Sequence, residues 1–182
     1  MKTAILFLAQ GFEEIEAVAT TDVLRRAGVK VVTVAIGDDL NVVGAHDVVV
    51  QADALLGEVS LYDADALILP GGWPGAKNLS ECKPLIEAVV KQHTEGGWVA
   101  AICAAPFVLG VNGILEGKLA TCYPGFEKDL HGATFIEKGV VVSDNVITAR
   151  GPAFSIDFGL TIAEVLVGKE KAKDVAKGML HI

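Results

Sequence analysis

Disulfide and zinc-binding patterns are missing from this sequence of 182 residues. Its three cysteines, Cys82, Cys103 and Cys122, are odd in number and show no CxxC spacing. Neither a disulfide framework nor a zinc site is predicted from such a set. The four histidines have no metal-ligand spacing either. This cysteine usage is typical of a reducing compartment, so we expect a cytoplasmic protein with no bound metal.

Positive charge and phosphate-binding motifs are also scarce. Lys plus Arg is 15 against 23 for Asp plus Glu, which gives a net charge of −8 and a pI near 4.9. Such a chain repels phosphate backbones and anionic membranes. Neither GxGxxG nor GxxxxGK[ST] occurs. We therefore predict no nucleic-acid partner, no membrane partner and no organic cofactor.

The one long uncharged segment is broken by turn residues. Residues 98–115 carry no charge, but Pro106, Gly110 and Gly113 interrupt them. This pattern favours a buried strand, a sharp turn and a buried helix over a membrane span. The N-terminal stretch lacks a signal-peptide cleavage pattern.

What is present is typical of a globular domain. Hydrophobic residues make up 52% of the chain and charged residues 21%, and the length suits a single domain covering residues 1–182. Strand and helix signals alternate. Strands are predicted at 3–8, 30–36, 66–69 and 98–102, helices at 13–27, 84–94, from about 105, 154–167 and 170–178, and hairpins at 41–50 and 140–149. This order predicts an α/β fold whose mostly parallel sheet is covered by helices on both faces.

Three segments with unusual residues follow predicted strands, at 11–16, 70–75 and 103–106. Ligands of parallel α/β sheets bind beyond the carboxyl ends of the strands. Cys103 lies at a strand-to-helix elbow, where a helix N-terminus favours a thiolate. The alternative interpretation is a buried cysteine packed as a small hydrophobe.

The glycines and acids in the other two segments can likewise be interpreted as functional or as purely structural residues. Gly71 and Gly72 could present backbone N–H groups to an oxyanion, or form an ordinary loop. Glu13, Glu14 and Glu16 could compensate the helix dipole, while one carboxyl buried near a thiol would change the thiol pKa. Periodicity does not say which acid points inward.

Four ordered segments carry a family resemblance. GFEEIEA, LPGGWPGAKNLSE, AAICAAP and ARGPAFSIDFGLTIAEVL resemble the ThiJ/PfpI superfamily, and most closely its DJ-one branch. The resemblance implies a flavodoxin-like α/β sandwich and a homodimer. It also implies a reactive Cys103, hydrogen-bonded by the carboxylic acid of Glu16, with backbone N–H groups at Gly71, Gly72 and Ala104. The pocket residues implied are Tyr123, Arg150, Gly151, Pro152 and His46.

Two positions depart from the family pattern. Tyr123 stands where glyoxalase-type members often have a proton-shuttling histidine, and a phenol is a poor base at neutral pH. His46 aligns with an arginine near the dimer interface, so oxyanion binding there would depend on pH. Ala104 follows Cys103 where the peptidase branch has a histidine, so a cysteine protease is not supported.

Three functions follow as hypotheses. The first is an enzyme in which Cys103 and Glu16 act on small 2-oxoaldehydes or their adducts, as a glutathione-independent glyoxalase or deglycase. The second is an oxidative-stress sensor or protective chaperone in which an oxidant converts Cys103 to a sulfinate. The third is a dimeric binding module with an inert pocket.

Overall fold

A central sheet of seven strands organises the computed structural model, which describes residues 1–181. Along the sheet the strands follow the order β10-β11-β7-β6-β1-β2-β5. Its only antiparallel pair within the described residues is β10 with β11, and the other neighbours run parallel. Two small two-stranded sheets, β3-β4 and β8-β9, complete the β structure of those residues. The predicted fold class is confirmed.

The elements have the following bounds. The strands are β1 (Thr3–Leu8), β2 (Lys30–Ala35), β3 (Asn41–Val43), β4 (Val49–Gln51), β5 (Ala54–Leu55), β6 (Ala66–Leu69), β7 (Trp98–Ile102), β8 (Leu119–Ala120), β9 (Thr134–Phe135), β10 (Val140–Ser143) and β11 (Val146–Ala149). The helices are α1 (Glu14–Arg26), α2 (Gly75–Glu81), α3 (Lys83–Thr94), α4 (Pro106–Val111), α5 (Ser155–Val167) and α6 (Lys169–Gly178).

Strand side chains alternate between two hydrophobic cores. Leu6, Ile68 and Ile102 belong to the core that includes residues of α1, α5 and α6. Phe7 and Leu67 belong to the opposite core, with α2, α3 and α4. Because a strand points successive side chains to opposite faces, continuous apolar runs such as TAILFL are buried on both sides.

The topology brings the three candidate segments to one edge. β7, β6 and β1 are neighbours in the sheet and run parallel, so their carboxyl ends lie at the same edge. Residues 11–16, 70–75 and 103–106 follow these strands. Backbone hydrogen bonds join two of the segments, since Glu13 N–H donates to Gly71 O at 3.0 Å and Gly75 N–H donates to Gly11 O at 3.1 Å.

Most predicted elements are confirmed, including both hairpins, and no predicted helix end shifts by more than one residue. The sequence interpretation missed α2, whose seven residues follow a Pro- and Gly-rich stretch that is typical of a loop. It also missed β5, β8 and β9, each of two residues and too short to show alternation. Within residues 1–181, no helix combines the length and apolar character needed to cross a bilayer.

Candidate functional site

Cys103 occupies a tight elbow between β7 and α4. Its φ is +64°, a left-handed conformation that is uncommon outside glycine. Three backbone hydrogen bonds hold the turn: Cys103 N–H donates to Ala149 O at 2.9 Å, Ala105 N–H to Ile102 O at 3.0 Å, and Tyr123 N–H to Cys103 O at 2.8 Å. The residue is buried, with 8% of its surface exposed. Backbone strain held in this way by surrounding contacts is common at functional sites.

Glu16 is the acid that points inward beside this cysteine. Located in the first turn of α1, it has no exposed surface. Its Oε2 accepts a hydrogen bond from Gly71 N–H at 2.8 Å. Its Oε1 is buried and has no hydrogen-bond partner within the described residues. The side chains of Glu16 and Cys103 are close enough that each shifts the pKa of the other, which places a carboxyl group in position to exchange a proton with the sulfur.

Backbone N–H groups of Gly72 and Ala104 complete the surroundings of the sulfur. Gly72 has a φ of +84°, which favours glycine. Position 71 has no room for a side chain, because a Cβ there would lie 2.7 Å from Cys103 Cβ and 2.8 Å from Glu16 Oε2. The Gly-Gly turn therefore brings backbone directly against both reactive side chains.

Burial dominates the electrostatics of the pair. It raises the pKa of Glu16 to about 8, although the Gly71 N–H and the bond to Cys103 oppose this rise. Glu16 is therefore largely protonated at neutral pH. Burial also raises the pKa of the Cys103 thiol, and the Glu16 carboxylate raises it further, while the N–H groups of Gly72 and Ala104 lower it. At rest the pair keeps its protons.

This result corrects the expectation that the helix N-terminus leaves Cys103 as a thiolate. α4 begins at Pro106 and has six residues, so its dipole is small and begins three residues beyond the sulfur. Desolvation outweighs it. The thiol therefore needs a neighbouring group to remove its proton as it reacts, and the ionised form of Glu16 is in position to do so.

Tyr123, Arg150 and Gly151 lie together beside the elbow. A Cβ on Gly151 would be 3.2 Å from Tyr123 Cδ2, and Tyr123 is linked to Cys103 through its backbone N–H. The guanidinium of Arg150 forms an ion pair with Glu137 at 2.8 Å. Pro152 begins a short 3-10 turn that leads into α5. The residue Tyr123 is 48% exposed.

His46 lies in the turn between β3 and β4, and its hydrogen bonds go to Glu14. The His46 backbone N–H donates to Glu14 Oε1 at 2.7 Å, and Nδ1 lies 2.9 Å from Oε2. The bond to Glu14 and the charges of Glu13 and Glu14 raise the pKa of His46. Burial raises the pKa of Glu14, but the hydrogen bonds from His46 leave it lowered. The oxygen and nitrogen atoms of Glu13, Glu14 and His46 lie within 4.8 Å of one another, a cluster that sequence spacing did not indicate.

Three aromatic rings near the elbow were missed by the sequence interpretation. Trp73 lies 6.0 Å from Phe107 and 5.6 Å from Phe126, centroid to centroid, and the two phenylalanines are 6.2 Å apart. These residues come from three distant parts of the chain. Only Trp73, directly after Gly72, carried a signal, as a large apolar residue inside a predicted loop.

The fold and the site together define a class: flavodoxin-like α/β proteins with a cysteine on a strand-to-helix elbow and a buried carboxyl group beside it. The model of the DJ-1/PfpI family matches residues 2–165. The chain belongs to this family.

Proteins similar in sequence and in structure support this family assignment. Protein dj-1beta of Drosophila melanogaster is 40% identical over 181 residues, covering 98% of this chain and 97% of the relative. Its crystal structure superposes with a TM-score of 0.95 over 100% of this chain and 98% of that one. A protein of Caenorhabditis elegans named glutathione-independent glyoxalase DJR-1.2 is 35% identical, covering 97% and 95%. The structure "Toxoplasma gondii DJ-1, oxidized" has a TM-score of 0.93 at 36% identity, covering 100% and 99%.

Some relatives are longer. The chain spans 40% and 46% of the lengths of the Arabidopsis thaliana DJ-1 homologs B and A, to which it is 42% and 41% identical over 96% and 98% of its own length.

Proposed function

We propose that this protein converts small 2-oxoaldehydes to 2-hydroxy acids without glutathione, with Cys103 as nucleophile and Glu16 as the group that moves protons. The main observation behind this proposal is that the two buried side chains lie close together, and that the N–H groups of Gly72 and Ala104 face the sulfur. The name of the C. elegans relative supports the same chemistry. Adducts of these aldehydes with amines or thiols present the same two carbons, so they fall in the same substrate class.

The reaction needs no external electron acceptor. The sulfur of Cys103 adds to the aldehyde carbon while Glu16, acting in its ionised form, takes the thiol proton and returns it to the new alkoxide, which gives a hemithioacetal. Glu16 then removes the hydrogen of that carbon as a proton and delivers it to the neighbouring carbonyl carbon, while the hydroxyl proton of the hemithioacetal passes to the oxygen of that carbonyl. The first carbon is thereby oxidised to a thioester and the second reduced to an alcohol. Water hydrolyses the thioester, which releases the 2-hydroxy acid and restores the thiol.

The groups around the sulfur are suited to stabilise the negative charge that develops during the reaction. The N–H groups of Gly72 and Ala104 are aimed at this position and suit an oxyanion formed next to it. Tyr123 contributes a hydroxyl that orients the substrate, while its phenol is a poor base at neutral pH. Proton transfer therefore rests on Glu16 alone.

Lactate formation from methylglyoxal, followed by NMR in a buffer free of glutathione and amines, tests this proposal. We expect the wild-type protein to form lactate and Cys103→Ser to form none above the buffer rate. The Cys122→Ser variant is the matched control, because Cys122 is buried in the adjoining loop, and it should retain activity. Equal lactate formation by wild type and Cys103→Ser would overturn the proposal.

A second candidate function is oxidation sensing at the same cysteine. Two molecules of peroxide convert the thiol to a sulfinic acid and are reduced to two molecules of water. Glu16, largely protonated at neutral pH, can donate a hydrogen bond to the sulfinate, and the Toxoplasma gondii relative has been solved as an oxidised protein. Intact mass after mild peroxide should rise by two oxygen atoms, which peptide mapping locates on Cys103. Preferential oxidation of the half-buried Cys82 would contradict this function.

We also propose that the chain forms a homodimer through an apolar face on α1 and the β3-β4 hairpin. Ile15 and Val18 of α1 are 57% and 50% exposed, and Val48 and Val49 of the hairpin are 52% and 56% exposed. Glu14 joins the two elements by accepting hydrogen bonds from the hairpin backbone. An exposed apolar face of this kind is typical of a subunit interface.

Sedimentation equilibrium tests the dimer. The Val18→Asp variant should shift the protein toward monomer, because a carboxylate buried against a second copy has no partner there. Val142→Asp is the control, since Val142 is 46% exposed on β10, at the opposite end of the sheet. Unchanged association in Val18→Asp would exclude this face as the interface.

A further inference from the structure

An aromatic cluster is built from residues that neighbour the Cys103–Glu16 site along the chain or through the backbone. Its three rings, Trp73, Phe107 and Phe126, lie within 6.2 Å of one another, centroid to centroid. Each is close in sequence to a residue that shapes the site. Trp73 follows Gly72, whose N–H faces the sulfur, and Phe107 lies in the first turn of α4, four residues after Cys103. Phe126 is bonded through its backbone N–H to Tyr123 O at 3.2 Å.

Trp73 stays open to solvent despite these contacts. Its side chain packs against two rings, yet the residue is 54% exposed, while Phe107 and Phe126 are half-buried. Tyr123, joined by its backbone to Cys103, is 48% exposed. Trp73, which follows Gly72, and Tyr123, whose backbone N–H donates to Cys103 O, thus retain open surface that an aromatic ligand can cover.

The backbone that carries Trp73 is fixed. Gly71 O accepts a hydrogen bond from Glu13 N–H, and Gly75 N–H donates to Gly11 O. The packing is close enough that a Cβ on Gly75 would lie 2.7 Å from Gly11 O. The indole is therefore presented from a rigid loop, so that a ligand stacked on it orders little of the protein.

Charge around the site favours a neutral ligand. Glu13 and Glu14 lie on the segment that also bears Glu16. Two cationic side chains of the predicted pocket already have acidic partners, because Arg150 pairs with Glu137 at 2.8 Å and His46 with Glu14 at 2.9 Å. A substrate with its own carboxylate would meet acidic groups without a free partner. A neutral aryl group would meet open aromatic surface.

We propose that Trp73, assisted by Tyr123, is a specificity-determining residue that selects 2-oxoaldehydes bearing an aryl group. This inference rests on the proposed function and names its preferred substrates, the arylglyoxals. The aldehyde carbon is placed against the Cys103 sulfur, and the aryl ring stacks on the indole. The products are the corresponding aryl 2-hydroxy acids, formed by the same balanced steps.

Turnover of two substrates gives the first test. Wild type should show a kcat/KM for phenylglyoxal at least about tenfold above that for methylglyoxal, and Trp73→Leu should reduce this ratio by about tenfold, because offset stacking and the buried ring area are lost. Trp73→Phe should keep part of the preference. Tyr62→Leu is the matched control, since Tyr62 is a 56% exposed aromatic residue placed before β6, at the opposite edge of the sheet. It should leave the ratio unchanged.

Binding to Cys103→Ser gives a second test that does not depend on turnover. Calorimetry with two neutral ketones, 2-hydroxyacetophenone and hydroxyacetone, should show at least about tenfold tighter binding of the aryl ketone. In the double variant with Trp73→Leu this difference should disappear.

The outcomes separate the two proposals. Cys103-dependent turnover of both substrates, with a ratio that Trp73→Leu leaves unchanged, would overturn the aryl selectivity and leave the proposed function intact. Absence of turnover in wild type would overturn the proposed function. In that case a Trp73-dependent preference for the aryl ketone would still support the aromatic platform, and equal or undetectable binding of the two ketones would overturn it.

Discussion

Glu16→Gln should reduce the kcat/KM for 2-oxoaldehyde conversion by about 10²- to 10⁴-fold, the range for loss of a positioned acid–base group. The amide retains an oxygen that can accept the Gly71 N–H bond now made at 2.8 Å, so the geometry is kept. It cannot take the proton of a thiol whose pKa burial has raised. The first addition and the carbon-to-carbon proton transfer both lose their base.

Glu14→Gln is the matched control for this loss. Glu14 is a buried carboxyl on the same helix, but its hydrogen bonds go to the hairpin rather than to the sulfur. It should retain most of the activity. Comparable losses in the two variants, with far-UV circular dichroism unchanged, would assign the effect to the helix and not to proton transfer by Glu16.

The second large effect is on stability and its dependence on pH. A buried carboxyl whose pKa is raised to about 8 binds its proton more tightly in the folded state than in the unfolded state, where the value is 4.5. The stability that this tighter proton binding contributes is fully present below pH 4.5 and is lost as the pH rises toward 8. The free energy of unfolding should therefore fall through this window by at most about 1.4 kcal/mol per pH unit from this group alone.

Glu16→Gln removes that dependence. Denaturant unfolding at pH 5, 6, 7 and 8 should show the variant gaining stability relative to wild type at each step, with the largest gain at pH 8. Glu87→Gln, an exposed carboxyl on α3, should follow the wild-type pH dependence. If wild type and Glu16→Gln run parallel between pH 5 and 8, Glu16 does not hold a raised pKa.

The elbow itself was predictable from the sequence. An apolar strand ending at Ile102, followed at once by AAPFVLG, indicates a sharp strand-to-helix turn, and the structure has Cys103 there with a φ of +64°. The β-α-β order likewise predicts which segments meet, because parallel strands share a carboxyl edge. Local pattern and connection rules were sufficient for both.

The choice of Glu16 among three acids was not predictable from pattern. The resemblance to the family pointed to it, and the structure gives the reason. α1 begins at Glu14, and its third residue turns toward the sheet, where the Gly-Gly turn leaves room for a carboxyl group. Glu14 is also buried, which the interpretation as a dipole-compensating charge did not anticipate, because that burial depends on the hairpin packing over α1.

The pKa directions and the aromatic cluster depend on contacts between distant segments. Burial decides the protonation of Cys103, and burial is a property of the assembled fold. Trp73 and Phe107 are separated in the chain by α2, α3 and β7, and Phe126 follows α4 and β8, so no local signal predicts that the three rings meet. Their meeting follows only from the three-dimensional arrangement around the elbow.

The pH dependence of Cys103 alkylation by iodoacetamide tests the central claim most directly, namely that Cys103 and Glu16 share their protons as one unit. In wild type the rate should rise with pH and level off near pH 8, because ionisation of Glu16 then opposes a second negative charge on the sulfur. In Glu16→Gln the alkylation rate should continue to rise with pH and should not level off near pH 8. Identical profiles in the two proteins would contradict the pairing and with it the proposed mechanism.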